Sequence, residues 1–176
     1  MIFTETKLAG AYVIEPERLE DDRGFFARTF CAEAFAERGL ATEFPQCSVS
    51  FNAVKGTLRG MHYQMSPHEE AKLVRCTMGA VQDVIVDLRS GSPTFRQWVA
   101  VELSAVNHQM LYIPDGFAHG FLTLMESSEI FYQISRSYDP TSARSVHYND
   151  PAFGINWVGK VVIISKRDCN AARFEY

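Results

Sequence analysis

The chain has 176 residues, 47% of them hydrophobic, 12% aromatic and 22% charged, with a formal net charge of −4 at pH 7. That length suits one domain with enough chain to bury a core. The acidic balance offers no footprint for nucleic acid, and the ordinary composition argues against disorder. The opening stretch "MIFTETKLAG" is too polar for a secretory leader, and no apolar run approaches a membrane span. A cytoplasmic protein without nucleic-acid or membrane partners is expected. The four cysteines, Cys31, Cys47, Cys76 and Cys169, form no C-x-x-C pair, so they read as small reduced core residues.

Strand signals dominate the chain in order: "AYVIEP", "GFFARTF", "QCSVSFN", "GTLRGMHYQ", "AKLVRCT", "AVQDVIVDL", "QWVAVELSA", "MLYIP", "GFLTL" and "EIFYQISRSY". All are rich in β-branched or aromatic residues, and Gly, Pro, Asn, Asp or Ser separates most of them. One helical candidate interrupts them at "AEAFAERG", with Gly39 as its stop. Many short strands with little helix predict an antiparallel sandwich or small barrel. The segment "LVRCTMGAVQDVIVDLR" reads as a hairpin turning at Met78 and Gly79. In its first arm Lys72, Val74 and Cys76 share one face, and Leu73 and Arg75 the other.

The stretch "GTLRGMHYQ" carries Arg59 and His62 in an otherwise core-like strand. Strict alternation puts those two residues on opposite faces. A bulge at Gly60 would bring both to the same side, and bulges are favoured beside active sites. His62 titrates near neutral pH and suits a general base, which needs an orienting carboxylate. Lys72 could place a cation beside a developing oxyanion, and Tyr132 shares its strand face with Ile130 and Ile134. Singly, Lys72 also reads as a surface lysine and Tyr132 as core. "PDGFAHGF" reads either as a turn packed by Phe117 and Phe121 with a structural His119, or as half of a metal-binding barrel motif. For a metal, His62, His119 and Glu69 or Glu70 would have to converge in space.

Six ordered stretches, "DDRGFFARTF", "GTLRGMHYQ", "EAKLVRCTMGAVQDVIVDLRSGSPTF", "LYIPDGFAHGF", "NDPAFGINW" and "ISKRD", together resemble the dTDP-4-dehydrorhamnose 3,5-epimerases over essentially the whole chain. The resemblance implies an all-β, cupin-type antiparallel jelly-roll barrel with one short helix, a single domain over residues 1–176. It implies a homodimer whose N-terminal strands cross to the partner, with neither metal nor cofactor. The implied substrate is a small nucleotide sugar, dTDP-4-keto-6-deoxy-D-glucose, inverted at carbons 3 and 5 to dTDP-4-keto-L-rhamnose. By the same resemblance His62 is the base, Asp168 its carboxylate partner, Lys72 the group facing the enolate oxygen and Tyr132 the donor on the opposite face. Arg23, Arg28, Gln46, Arg59, His119 and Arg167 fall at positions that bind the substrate.

The chain also departs from the family pattern. Arg28 stands for a glutamate, Cys47 and Ser48 for Asp-Asn, Ala143 for a glutamate, Arg167 for a lysine and Val158 for a proline. None of these touches the four catalytic positions, but several fall where nucleotide and sugar hydroxyls are expected to be read. A single-centre epimerase, or one acting on a CDP- or GDP-linked 4-keto sugar, is the alternative within the class. A ketoisomerase, a metal-dependent cupin and a non-catalytic sugar binder stand outside it.

Overall fold

A computed structural model of the chain describes residues 1–175. Strands β1 to β5 are Ile2–Glu5, Tyr12–Glu15, Arg18–Asp21, Gly24–Ala27 and Gln46–Asn52, with helix α1 (Ala32–Ala36) before β5. Strands β6 to β10 are Thr57–Gln64, Lys72–Met78, Ala80–Asp87, Trp98–Ser104 and Met110–Ile113. Strands β11 to β14 are Phe117–Thr123, Ser128–Ile134, Ala143–Ser145 and Ile163–Ile164, and helix α2 is Lys166–Cys169. One sheet runs β1-β2-β10-β7-β12-β5 and the other β13-β6-β11-β8-β9, with β14 paired to β6 and β3 to β4 in a separate hairpin. Among the described residues every pairing is antiparallel except that of β14 with β6.

Alternation along the strands sorts side chains into an interior and two outer layers. Val74, Cys76, Ile130, Leu111 and Ile113 from the first sheet meet Val81, Ile85, Leu103, Phe117 and Phe121 from the second in the interior core. The outer face of the first sheet is covered by the segment around α1. There Phe35, fully buried, meets Phe3, Phe30, Phe44 and Tyr112 edge-on, with ring centroids 5.0 to 6.4 Å apart. The outer face of the second sheet packs Val84, Val86 and Met61 against Val146, Phe153, Ile155 and Trp157 of the C-terminal segment. Strand β8 is therefore buried on both faces along its whole length.

The expected all-β antiparallel barrel is found, and the helix at "AEAFAERG" is α1, with Gly39 at a φ of +66° beyond it. The hairpin expected at Met78 and Gly79 is not formed. Strand β7 pairs with β10 and β12, whereas β8 pairs with β9 and β11, so the chain crosses from one sheet to the other at this turn. Two alternating runs joined by a tight turn look like a hairpin in sequence, because alternation does not distinguish pairing from facing. The sequence signals also passed over β1, β3, the short β13 and β14, and α2, which makes a second helical turn where one helix was expected.

Candidate active site

A cavity of about 320 Å³ opens between the two sheets beyond one end of the interior core. Its walls come from both layers: Ser48, Ser50, Lys72, Tyr132 and Ile134 from one, Arg59, His62, His119 and Phe121 from the other. The bulge conjectured at Gly60 is present in β6. His119 pairs with His62 and Phe121 with Arg59, so four residues of β6 face three of β11. The extra residue lets both Arg59 and His62 line the cavity. Glycine is required here, since φ at Gly60 is +131° and a Cβ would lie 2.5 Å from the Cα of Gly120.

The far edge of β6 is only partly paired. Strand β13 takes His62 to Gln64 and β14 takes Thr57 and Leu58, leaving a gap around Gly60. Asp168 fills that gap from α2, whose first turn is capped by Ser165 Oγ accepting the Asp168 backbone N–H at 3.0 Å. The nearly buried carboxylate takes the Gly60 N–H at 3.4 Å and lies 2.7 Å from His62 Nε2. With Nε2–H donating to Asp168, the lone pair of His62 sits on Nδ1. Burial lowers the His62 pKa below its ordinary value; the hydrogen bond and charge of Asp168 oppose this, while His119 and Arg167 add to it. The imidazole is thus neutral near pH 7, the form a base needs.

Opposite His62 on the neighbouring strand, buried His119 places Nε2 2.9 Å from both oxygens of Asp83, which is fully buried on β8. Tyr132 meets the His119 ring edge-on at 6.0 Å and shares the cavity wall with Ser50. Burial and the Asp83 charge push the Tyr132 phenol well above its ordinary pKa, so it remains a proton donor. Lys72 Nζ lies 2.7 Å from Glu70 Oε1. Arg59 Nε donates to Asn52 Oδ1 at 2.7 Å, and Asn52 is tied in turn to Ser50 and Ser128. Arg144 and Arg167 complete a strongly cationic lining.

Seven of the residues singled out in sequence therefore meet at one place: His62, Asp168, Lys72, Tyr132, Arg59, His119 and Arg167. Gln46 sits beside it, its Oε1 accepting the backbone N–H of the cavity-lining Tyr138 at 2.8 Å. Arg23 and Arg28 do not join them within the chain. Arg23 is exposed at the β3–β4 turn and pairs with Asp21, and Arg28 lies in a separate depression with Met1, Leu19 and Cys31. Neither Glu69 nor Glu70 joins the two histidines in a ligand set, and no three His, Cys, Asp or Glu side chains among the described residues converge on a metal position. Asp83, Asn52, Ser50 and Tyr138 escaped the sequence reading. Asp83 alone left a signal there, as a charge inside the apolar run "AVQDVIVDL".

A sandwich of two antiparallel sheets encloses a cation-lined cavity with a His–Asp pair on one wall and a tyrosine on the other, an arrangement chemically suited to acid–base work on an anionic ligand. The family model described as dTDP-4-dehydrorhamnose 3,5-epimerase matches residues 5–176. A dTDP-4-dehydrorhamnose 3,5-epimerase of Shigella flexneri is 40% identical over 171 residues, covering 97% of this chain and 94% of the relative. The crystal structure of such an epimerase from Elizabethkingia anophelis superposes with a TM-score of 0.96 at 41% identity, over 99% of this chain and 96% of that one. A dTDP-6-deoxy-D-glucose-3,5-epimerase of Legionella pneumophila, solved with dTDP-4-keto-L-rhamnose, has a TM-score of 0.91 at 41% identity, over 98% and 92% of the two chains. The chain belongs to the dTDP-4-dehydrorhamnose 3,5-epimerase family.

Proposed function

We propose that the protein converts dTDP-4-keto-6-deoxy-D-glucose to dTDP-4-keto-L-rhamnose by inverting carbons 3 and 5. The observation that carries this reading is the placing of the His62–Asp168 pair and Tyr132 on opposite sheets of one cavity. Both carbons lie alpha to the ketone at carbon 4. His62 Nδ1 removes a proton from one face, and the electron pair moves into an enolate whose oxygen meets the Lys72 ammonium. Tyr132 returns a proton to the same carbon from the other face, which inverts it. A ketone alpha-proton is too weakly acidic for imidazole alone, so stabilisation of the enolate by a fixed cation supplies several kcal/mol of the barrier reduction. Arg59 and Arg167 suit the diphosphate, whose oxygens match the planar guanidinium fork.

The working unit in this reading is a homodimer. The β3–β4 hairpin projects Leu19, Phe25 and Phe26, and the adjacent outer sheet face exposes Val49, Phe51 and Met78. That apolar surface calls for a cover. A second copy would supply it and could deliver Arg23 and Arg28 to the neighbouring cavity, the place their own chain denies them. A cytoplasmic setting fits the four free thiols, and no helix among the described residues is long and apolar enough to cross a membrane.

Incubation with the dTDP-4-keto sugar in D₂O, followed by proton NMR and mass, tests the reading. Two deuterons in an L-rhamno-configured product are expected. One deuteron would identify a single-centre epimerase, and none would transfer the test to the CDP-linked analogue. Light scattering should give about 40 kDa, twice the 19.9 kDa chain, and a species of chain mass would remove the dimer.

A further inference from the structure

Four cationic side chains line the cavity, Arg59, Lys72, Arg144 and Arg167. Among the described residues that line it, Glu70 is the only carboxylate. Asp83 and Asp168 stand behind the histidines they pair with, outside that lining. A negative charge in a pocket that receives a nucleotide diphosphate opposes binding, so its presence needs a reason. Glu70 is also held from both ends. Oε1 lies 2.7 Å from Lys72 Nζ, and Oε2 accepts from Gln64 Nε2 at 2.9 Å. Gln64 is fixed in turn, donating to the His68 carbonyl at 2.9 Å and accepting the Asp139 N–H at 2.7 Å. Only about a tenth of either charged side chain in the Lys72–Glu70 pair is exposed.

Resting on the function proposed above, we infer that Glu70 is a positioning residue for Lys72. A lysine is a mobile point charge on a four-carbon stem. Free to choose in this cavity, it would turn to the doubly charged diphosphate in preference to the weakly polar ketone. Glu70 takes one of the three ammonium N–H groups, leaving the others for the enolate oxygen at the sugar end. The arginines are then left to hold the phosphates. Glu70 thereby trades affinity for the nucleotide against stabilisation of the reacting sugar.

Around Lys72 the facing charged and titratable groups come from every wall. Arg59, His62 and Tyr63 lie on β6, His119 on β11, Tyr132 on β12, and Tyr138, Arg144 and Arg167 on the β12–β13 connection, β13 and α2. None of these offers a carboxylate to replace Glu70.

The test is Glu70→Gln, which keeps an acceptor for Lys72 and removes the charge, read by kcat with the dTDP-4-keto sugar and by calorimetric binding of dTDP. Expected are a fall in kcat of about tenfold or more and dTDP bound about fivefold more tightly at low salt. The opposed directions separate positioning from scaffolding, because a structural defect weakens both together. Glu70→Asp, charged but one methylene shorter, should lower kcat and leave dTDP affinity within about twofold of wild type. An unchanged kcat in Glu70→Gln, or dTDP binding weakened along with kcat, overturns the role of Glu70 while the proposed function stands. Absence of turnover by the wild type overturns the proposed function and this role with it.

Discussion

Replacing Asp168 by Asn tests the centre of the proposed chemistry, because it removes one charge and leaves the shape. The wild-type carboxylate accepts from two donors, His62 Nε2–H at 2.7 Å and the Gly60 N–H at 3.4 Å. An amide has one oxygen for these two positions. With the oxygen toward His62, the amide NH₂ faces the Gly60 N–H. With the NH₂ toward His62, the ring must carry its proton on Nδ1, the atom that has to act as base. Either arrangement weakens the base, by about a hundredfold in kcat/KM or more for a buried His–carboxylate pair. Asp168 also supplies the two contributions that raise the His62 pKa, and burial, His119 and Arg167 all lower it. The His62 pKa in Asp168→Asn therefore falls further below its ordinary 6.5. Since the base works unprotonated, wild-type activity falls as pH drops through the His62 pKa, and the variant's acid limb must lie at lower pH. Deuterium incorporation from D₂O into the sugar, followed from about pH 5 to 8, reads both effects. A loss under about threefold with the acid limb in place would refute the reasoning.

Three further outcomes follow from the same geometry. Tyr132→Phe should still exchange substrate protons with solvent while inversion falls, because removal at His62 does not need the phenol; equal loss of exchange and inversion in the NMR assay counts against Tyr132 as the opposite-face donor. Gly60→Ala drives a Cβ to 2.5 Å from the Gly120 backbone at a φ of +131°, so the urea midpoint should drop by an amount equivalent to about 3 kcal/mol or more, and an unchanged midpoint would show that the bulge relaxes. At Asp87, burial favours the neutral acid, but hydrogen bonds from Arg89, Ser92 and Thr94 outweigh it and bring the pKa down to about 2 from 3.8. A folded-state pKa depressed in this way contributes stability that is present above about pH 4 and lost as pH falls toward about 2. The contribution is about 2 kcal/mol, and Asp87→Asn should melt earlier at pH 7 and flatten the stability curve across that acid window.

The fold was readable where one physical rule governed a stretch. Strands such as "QCSVSFN" and "AVQDVIVDL" alternate or run apolar between turn residues, and β5 and β8 fall within those stretches. The facing of Lys72, Val74 and Cys76 against Leu73 and Arg75 was likewise set by alternation: Val74 and Cys76 enter the interior core, Leu73 the outer layer. Pairing was not readable from the same pattern, which is why β7 and β8 looked like one hairpin. Strands β13 and β14, of three and two residues, are too short to carry any periodicity. They exist because β6 offers an open edge, and a segment far down the chain docks onto it.

That open edge also explains how much of the site the residues alone could give. Gly60 betrayed the bulge, because a glycine inside a strand between two polar residues has few other uses. The partner of His62 left no local sign, since Asp168 lies 106 positions away and reaches the imidazole only through the gap between β13 and β14. Resemblance to the family named it, and the geometry gives the reason an aspartate fits there: a short acceptor must serve a ring nitrogen and a backbone N–H left unpaired by the sheet. Glu70 is the converse case. It stands two residues from Lys72, on the alternation that should bring the two together, yet adjacent unlike charges are common on solvated strand ends and carry no signal by themselves. What distinguishes this pair is its burial beside three arginines, a property of the closed cavity. A carboxylate retained in such a place opposes the anion the cavity is charged to receive, and its effect on the lysine beside it is the one compensation the geometry supplies.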